Sequence, residues 1–238
     1  HRTPIDFVFV AGDLICGRNP YPEIGSKQNN TDYIRRMMQL LKKADVPVLC
    51  TFGNHDDNSH HWEDDNDKSG TCPIGDIITK NEFHALCIAP FAPVFHDSQN
   101  PKSCYYYMDI EVKKTRVIVM DTTDYLLTNA HDARYADYTG RTQGRLSARQ
   151  IQWLCEEALT KSEPDWQYIV LSHGSLSADF MGTTRWVTAY GTWAWDALNA
   201  LNARGIYCRK DVPITCGDGK EYLTTYADFS DFQSRVIL

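Results

Sequence analysis

An α/β fold with parallel strands is predicted by three features of the chain. Three apolar, strand-like runs each end in a turn that carries a side chain able to bind a metal or move a proton. A helix-patterned segment separates the first two runs, which makes a β-α-β unit and hence a parallel pair. Further helical stretches alternate with later strands, as α/β architecture requires. Sheets of this class place their chemistry just beyond the carboxyl ends of their strands.

The first run, Ile5-Asp6-Phe7-Val8-Phe9-Val10-Ala11, ends in Gly12-Asp13. Residues 31–43 then read as a helix, with Thr31 or Asp32 as cap and Ile34, Met37, Met38 and Leu41 on one face. The second run, Val46-Pro47-Val48-Leu49-Cys50-Thr51-Phe52, leads into Gly53-Asn54-His55-Asp56. Residues 57–101 are rich in turn formers and read as a lid-like insertion over the site, with some helix in 81–87. Residues 105–112 and 116–121 form a predicted hairpin around Lys113-Lys114-Thr115. Residues 147–161 are a helix opened by a Ser147–Gln150 capping box. Tyr168-Ile169-Val170-Leu171 is the third run and ends in Ser172-His173. Residues 193–204 are a helix stopped by Gly205, residues 208–222 a small β excursion, and Arg235-Val236-Ile237-Leu238 the start of a last strand.

A carboxamide, an imidazole and a carboxylate packed into one turn after a buried strand are costly unless paired or ligated. Singly, each residue has an ordinary explanation. Asp13 suits a turn or helix cap, Asn54 and Asp56 are common turn residues, and His173 suits a satisfied core histidine. Together, at the same ends of three strands, they point to a metal site.

Gly12-Asp13, Gly53-Asn54-His55-Asp56 and the strand-terminal His173 resemble, in order and rough separation, the calcineurin-like metallophosphoesterase superfamily. The resemblance runs over most of the chain, and the Gly-Asn-His-Asp turn is its specific part. It implies a four-layer α/β/β/α sandwich of two mixed sheets flanked by helices. It also implies two divalent metal ions (Mn, Fe, Zn or Ni) that activate water for phosphate-ester hydrolysis, on a phosphomonoester or phosphodiester. Carried over by motif, Asp13 bridges both metals, and Asn54 and His173 bind the second. His55 faces the phosphate and protonates the leaving group, and Asp56 holds the other nitrogen of His55.

Two motifs of the family pattern have no match here. An Asp-x-His precedes Gly-Asp in the family, and His1 is too close to the first strand to supply it. A Gly-His-x-His follows a final strand. Both gaps fall at the chain ends, so 1–238 is expected to be a single domain cut at both ends, short of the first and last metal-binding motifs. A fold that has kept its shape and lost hydrolysis, acting as a binding or scaffold protein, is the alternative.

Composition narrows the partners. A net charge of −7 argues against duplex nucleic acid. It is compatible with a small phosphorylated substrate, because bound cations reverse the local field. No run reaches the roughly 18 apolar residues of a membrane helix. Cys50 and Cys155 lie in apolar patterns and are expected as packed thiols, while Cys72, Cys104, Cys208 and Cys216 fall in loop-like stretches and are free to pair if the protein is exported. No signal peptide is visible, which is uninformative if the amino terminus is missing, so the location stays open, with the cytoplasm favoured over export. His60 and His61, the acidic run from Glu63 to Asp67, Asp121, and the aromatics Trp186, Tyr190, Trp193 and Trp195 are secondary candidates. A solvated loop, a solvated face, a turn and core packing are their ordinary alternatives.

Overall fold

The computed structural model describes residues 4–16, 25–58, 75, 77–124, 146–177, 191–213 and 222–237. β1 (Val8–Val10) and β2 (Val48–Cys50) pair in parallel, Val8 opposite Val48 and Val10 opposite Cys50. Val8 N–H donates to Pro47 O and Thr51 N–H to Val10 O, which extends the ladder at both ends. The helix between them, α1 (Lys27–Leu41), starts earlier than its apolar pattern predicts. Ser26, not Thr31 or Asp32, is the cap, its hydroxyl accepting from Asn29 N–H at 3.2 Å. Ile34 and Met38 are the buried apolar residues of α1.

In chain order the remaining elements are α2 (Lys80–Phe83), β3 (Phe95–His96), β4 (Tyr106–Ile110), β5 (Thr115–Met120), α3 (Ala148–Trp153), β6 (Gln167–Ser172), α4 (Gly191–Asn202), β7 (Ile206–Pro213), β8 (Tyr222–Asp228) and β9 (Arg235–Ile237). Five of them form one sheet in the order β3-β4-β5-β6-β9. β4 and β5 are the expected antiparallel hairpin, and β6 pairs in parallel with β5 and with β9. β7 and β8 form a separate antiparallel ladder, larger than the excursion read from the sequence.

β5 is buried along its whole length, which explains a continuous apolar run in place of alternation. Val117 and Val119 enter one core with Val48, Leu49, Ile34, Met38 and Phe83. Ile118 and Met120 enter a second core with Ile151, Leu154, Ala197, Leu198 and Leu201 of α3, its extension and α4. The period of two along a strand therefore feeds two cores from one segment. Arg116 is the charged exception. It meets Asp109 through two hydrogen bonds of 2.7 and 2.8 Å and donates to Ala158 O at 2.8 Å, closing the end of the α3 region.

Three helix ends differ from their sequence readings. α2 opens with a full capping box, Thr79 with Glu82, and runs on through one π turn, His84–Ile88. α3 keeps only half of its expected box: Ser147 accepts from Gln150 N–H at 3.1 Å, but the Gln150 side chain turns to Asp121. α4 ends not on Gly205 but on Arg204, whose φ is 59°. Gly205 N–H reaches Ala200 O at 2.8 Å and Arg204 N–H reaches Leu201 O at 3.1 Å, the paired bonds of a Schellman close. Arg204 accepts a left-handed backbone because its guanidinium donates to Ser234 O and Gln233 O at 2.6 and 3.0 Å.

Cys50 and Cys155 are buried free thiols, as expected. Cys104 is a buried free thiol and Cys208 an exposed one on β7, while Cys72 and Cys216 lie outside the described residues. In the described part of 57–101, Ile77, Ile78, Phe83, Cys87 and Ile88 are core residues. Among the described residues no helix is long and apolar enough to cross a membrane.

Candidate metal centre

The parallel register of β1 and β2 delivers Gly12-Asp13 and Gly53-Asn54-His55-Asp56 side by side at one end of the ladder. Two close approaches require glycine there. Gly12 has φ 84°, and a Cβ on it would lie 2.7 Å from Gly53 N and 3.0 Å from His173 Nδ1. A Cβ on Gly53 would run into Asp13 N and Oδ1 and stand 3.0 Å from Asp13 Cγ. Asp13 itself has φ 53°, a left-handed conformation that costs a non-glycine residue about 1 kcal/mol.

Asp56 holds that conformation in place. Its carboxylate is buried and accepts from Asp13 N–H at 3.0 Å, Leu14 N–H at 2.7 Å and Gly53 N–H at 2.8 Å. Burial pushes its carboxyl up to about 6, against the pull of the Gly53 and Leu14 N–H groups, and the nearby Asp13 charge adds to the rise. This corrects the expectation that Asp56 orients His55. Three backbone donors take up the carboxylate, and the His55 Nδ1 hydrogen-bonds the Cys16 carbonyl instead. A carbonyl only accepts, so Nδ1 carries the proton, and Nε2 stands 4.0 Å from Asp13 Oδ2.

His173, just past β6, reaches the same place from the other sheet. Its Nδ1 donates to Ala11 O at 2.7 Å, which fixes the proton there. Its Nε2 then faces Asn54 Oδ1 at 2.9 Å and Asp13 Oδ1 at 3.4 Å. Asp13 Oδ1 is steadied by His55 N–H at 3.1 Å. In the neutral imidazole these are three lone-pair atoms turned on one another. A proton on Nε2 would donate to both oxygens, and a shared cation would take lone pairs from all three atoms. Donor atoms held about 2.1 Å from one cation stand about 3 Å apart when adjacent, so the spacing fits. Among the described residues no three His, Cys, Asp or Glu side chains form a metal-holding group. The Asn54 carboxamide oxygen, outside those four residue types, is the third atom that converges here.

A family model described as calcineurin-like phosphoesterase matches residues 1–201. The chain belongs to that family. The calcineurin-like phosphoesterases imply metal-dependent phosphoester hydrolysis in general, and a nitrogen and oxygen donor set suits that chemistry. No curated protein matches the chain. The match takes in the Gly-Asp, Gly-Asn-His-Asp and Ser-His turns, while β7, β8 and β9 lie beyond it.

The secondary candidates separate. Asp121 is buried at the end of β5, ion-paired with Lys80, and accepts from Thr123 N–H at 3.0 Å, which is a turn role. Trp193 and Trp195 pack against the α3–α4 core. His60, His61, Glu63 to Asp67, Trp186 and Tyr190 lie outside the described residues. Sequence reasoning missed Thr51, Lys80, Thr122 and Gln150, which brace the strand ends beneath the site. Nothing in a lone threonine or lysine signals such a contact in advance.

Proposed function

We propose that this chain hydrolyses a phosphate ester, with Asp13, Asn54 and His173 holding a divalent cation and Asp13 shared with a second. The observation that carries the reading is the convergence of Asp13 Oδ1, Asn54 Oδ1 and His173 Nε2, three acceptors turned inward with the His173 proton held on the far nitrogen by Ala11. Bound divalent cations supply charge neutralisation at the phosphoryl oxygens and a water acidic enough to act near neutral pH. The protein's own part is positional. Asp56 fixes the Asp13 turn through backbone donors, and His55 N–H aims the Asp13 carboxylate. His55, with Nδ1–H on Cys16 O and Nε2 beside Asp13, is placed to exchange a proton with the leaving oxygen. The donor chemistry suits Mn, Fe, Zn or Ni.

The two cores on either side of β5 support the four-layer sandwich of the family. The net charge of −7 supports a small phosphorylated substrate over duplex nucleic acid.

The test offers a chromogenic phosphomonoester and a phosphodiester to the protein, with Mn²⁺ and with chelator. Turnover that needs Mn²⁺ and disappears in Asp13→Asn is the expected result. Mn²⁺ bound at the Asp13 site with neither ester cleaved would replace hydrolysis by the non-catalytic role. Absence of Asp13-dependent Mn²⁺ binding would overturn the donor assignment itself.

A further inference from the structure

Asn54 and His173 meet across two sheets that share no ladder. Asn54 follows β2, which among the described residues pairs with β1 alone, and His173 follows β6 of the five-stranded sheet. Strand pairing alone therefore does not set the 2.9 Å between Asn54 Oδ1 and His173 Nε2. Side-chain bonds cross instead: His173 Nδ1 donates to Ala11 O at 2.7 Å, Tyr106 of β4 bonds the Cys50 backbone, and a further route runs through the end of β5. On one side Thr51 Oγ1 donates to Met120 O at 2.9 Å. On the other, Gly174 N–H donates to Thr122 Oγ1 at 2.9 Å, directly after His173. Both threonines are buried, with exposures of 0% and 1%.

The three residues 121–123 are clamped to a degree that a surface turn does not need. Gln150 of α3 takes both backbone groups of Asp121, accepting from its N–H and donating to its carbonyl, each at 2.9 Å. Lys80 of α2, itself buried, pairs with the Asp121 carboxylate and donates to Thr123 Oγ1 at 2.6 Å. Its ammonium sits 3.9 Å from the centre of the Phe52 ring. Burying an ion pair seldom gains stability over an apolar alternative. Its return here is a fixed position for the backbone that carries Thr122.

We infer that Thr122 is a positioning residue of the metal centre, its hydroxyl holding Gly174 so that His173 Nε2 meets Asn54 and Asp13 at ligand spacing. The inference rests on the reading of Asp13, Asn54 and His173 as metal donors. It extends that reading to a residue that touches neither metal nor substrate.

Mn²⁺ titration of the full chain, with free ion counted by electron paramagnetic resonance, tests it without reference to turnover. Thr122→Val keeps the shape and removes the hydroxyl, and should weaken Mn²⁺ binding about 10–100-fold, the range for groups that orient metal ligands. Thr122→Ser should stay within about twofold of wild type. In a His173→Ala background Thr122→Val should change nothing further, because its effect runs through that histidine. Urea unfolding without metal reports whether each variant folds. Should the valine variant fail to fold, the serine variant decides, and a folded serine variant that loses tenfold overturns the proposal. Wild-type affinity in a folded Thr122→Val overturns Thr122 and leaves the donor reading intact. An additive loss in the His173→Ala background also overturns it. No Asp13-dependent Mn²⁺ binding in wild type overturns both, and so separates the two failures.

Discussion

Gly53→Ala tests the site at its tightest point. The added methyl would overlap Asp13 N and Oδ1 and crowd Asp13 Cγ at 3.0 Å. Swinging the Asp13 side chain away relieves Oδ1 and Cγ alone, and it forfeits the bond from His55 N–H and the approach to His173. Asp13 N is backbone, so the turn must also open, which breaks the bonds from Asp13 N–H and Gly53 N–H to Asp56. Hydrogen bonds to a charged group are worth about 1.5–3 kcal/mol each, so opening costs about 3–6 kcal/mol. Both shifts move the carboxylate. Urea unfolding should therefore show a loss of about 3–6 kcal/mol, while Mn²⁺ binding falls about a hundredfold or more, since a donor and not merely its support is displaced. Gly205→Ala is the matched control. A Cβ there meets only Ala200 O at 3.7 Å, an ordinary contact, so stability should hold or rise by up to about 1 kcal/mol with no change in Mn²⁺ affinity. A folded Gly53→Ala protein that binds Mn²⁺ like wild type would refute the geometry.

Other perturbations reach different parts of the fold. Asp109→Ala strands the buried Arg116 guanidinium and should cost about 3–5 kcal/mol in urea unfolding; a loss under 1 kcal/mol would sink the claim that the pair is desolvated. His84 is held neutral by burial, then by His96 and Lys102, with its pKa lowered to about 4 from an ordinary 6.5. As pH falls through that window the unfolded chain takes up a proton that the folded protein refuses. Its contribution is thus complete above pH 6.5 and is lost towards pH 4, by at most about 3 kcal/mol. His84→Gln should flatten the wild-type decline over that range, and parallel stability curves would refute the assignment. Arg204→Gly suits the left-handed backbone but removes the guanidinium bonds to Gln233 and Ser234, so thermal unfolding should show net destabilisation; a gain in melting temperature would mean those bonds contribute little.

Strand existence and the placement of Asp13, Asn54, His55 and His173 were legible because their signals are local. An apolar run followed by a polar turn is written in adjacent letters. β5 was legible for a related reason, since burial on both faces leaves a continuous apolar string. Boundaries at the helix ends were not. The cap of α1 fell on Ser26 because its hydroxyl found Asn29 N–H, and Thr31 offers the same chemistry on paper. Gln150 three residues after Ser147 is a sound capping-box signal. Tertiary context spent its amide on Asp121 instead, where two buried backbone groups would otherwise have stayed unpaired. Arg204 outbid Gly205 for the left-handed position through carbonyls some thirty residues away, which no local rule contains.

The error at Asp56 is of another kind, and it bears on how the site works. The structure gives Asp56 backbone partners in place of the expected His55. A carboxylate beside a histidine in sequence suggests a dyad, yet successive residues of a tight turn point in different directions. Asp56 lies beneath the turn, where Asp13, Leu14 and Gly53 present three backbone donors to one buried acceptor. That arrangement links the ends of β1 and β2 directly. Thr51 and Thr122 link β2 and β6 to β5 by the same means, a side-chain oxygen on a backbone group of another strand. Backbone partners are fixed by the sheets and carry no rotamer freedom of their own. The centre therefore inherits the rigidity of two cores, although its donors sit on turns.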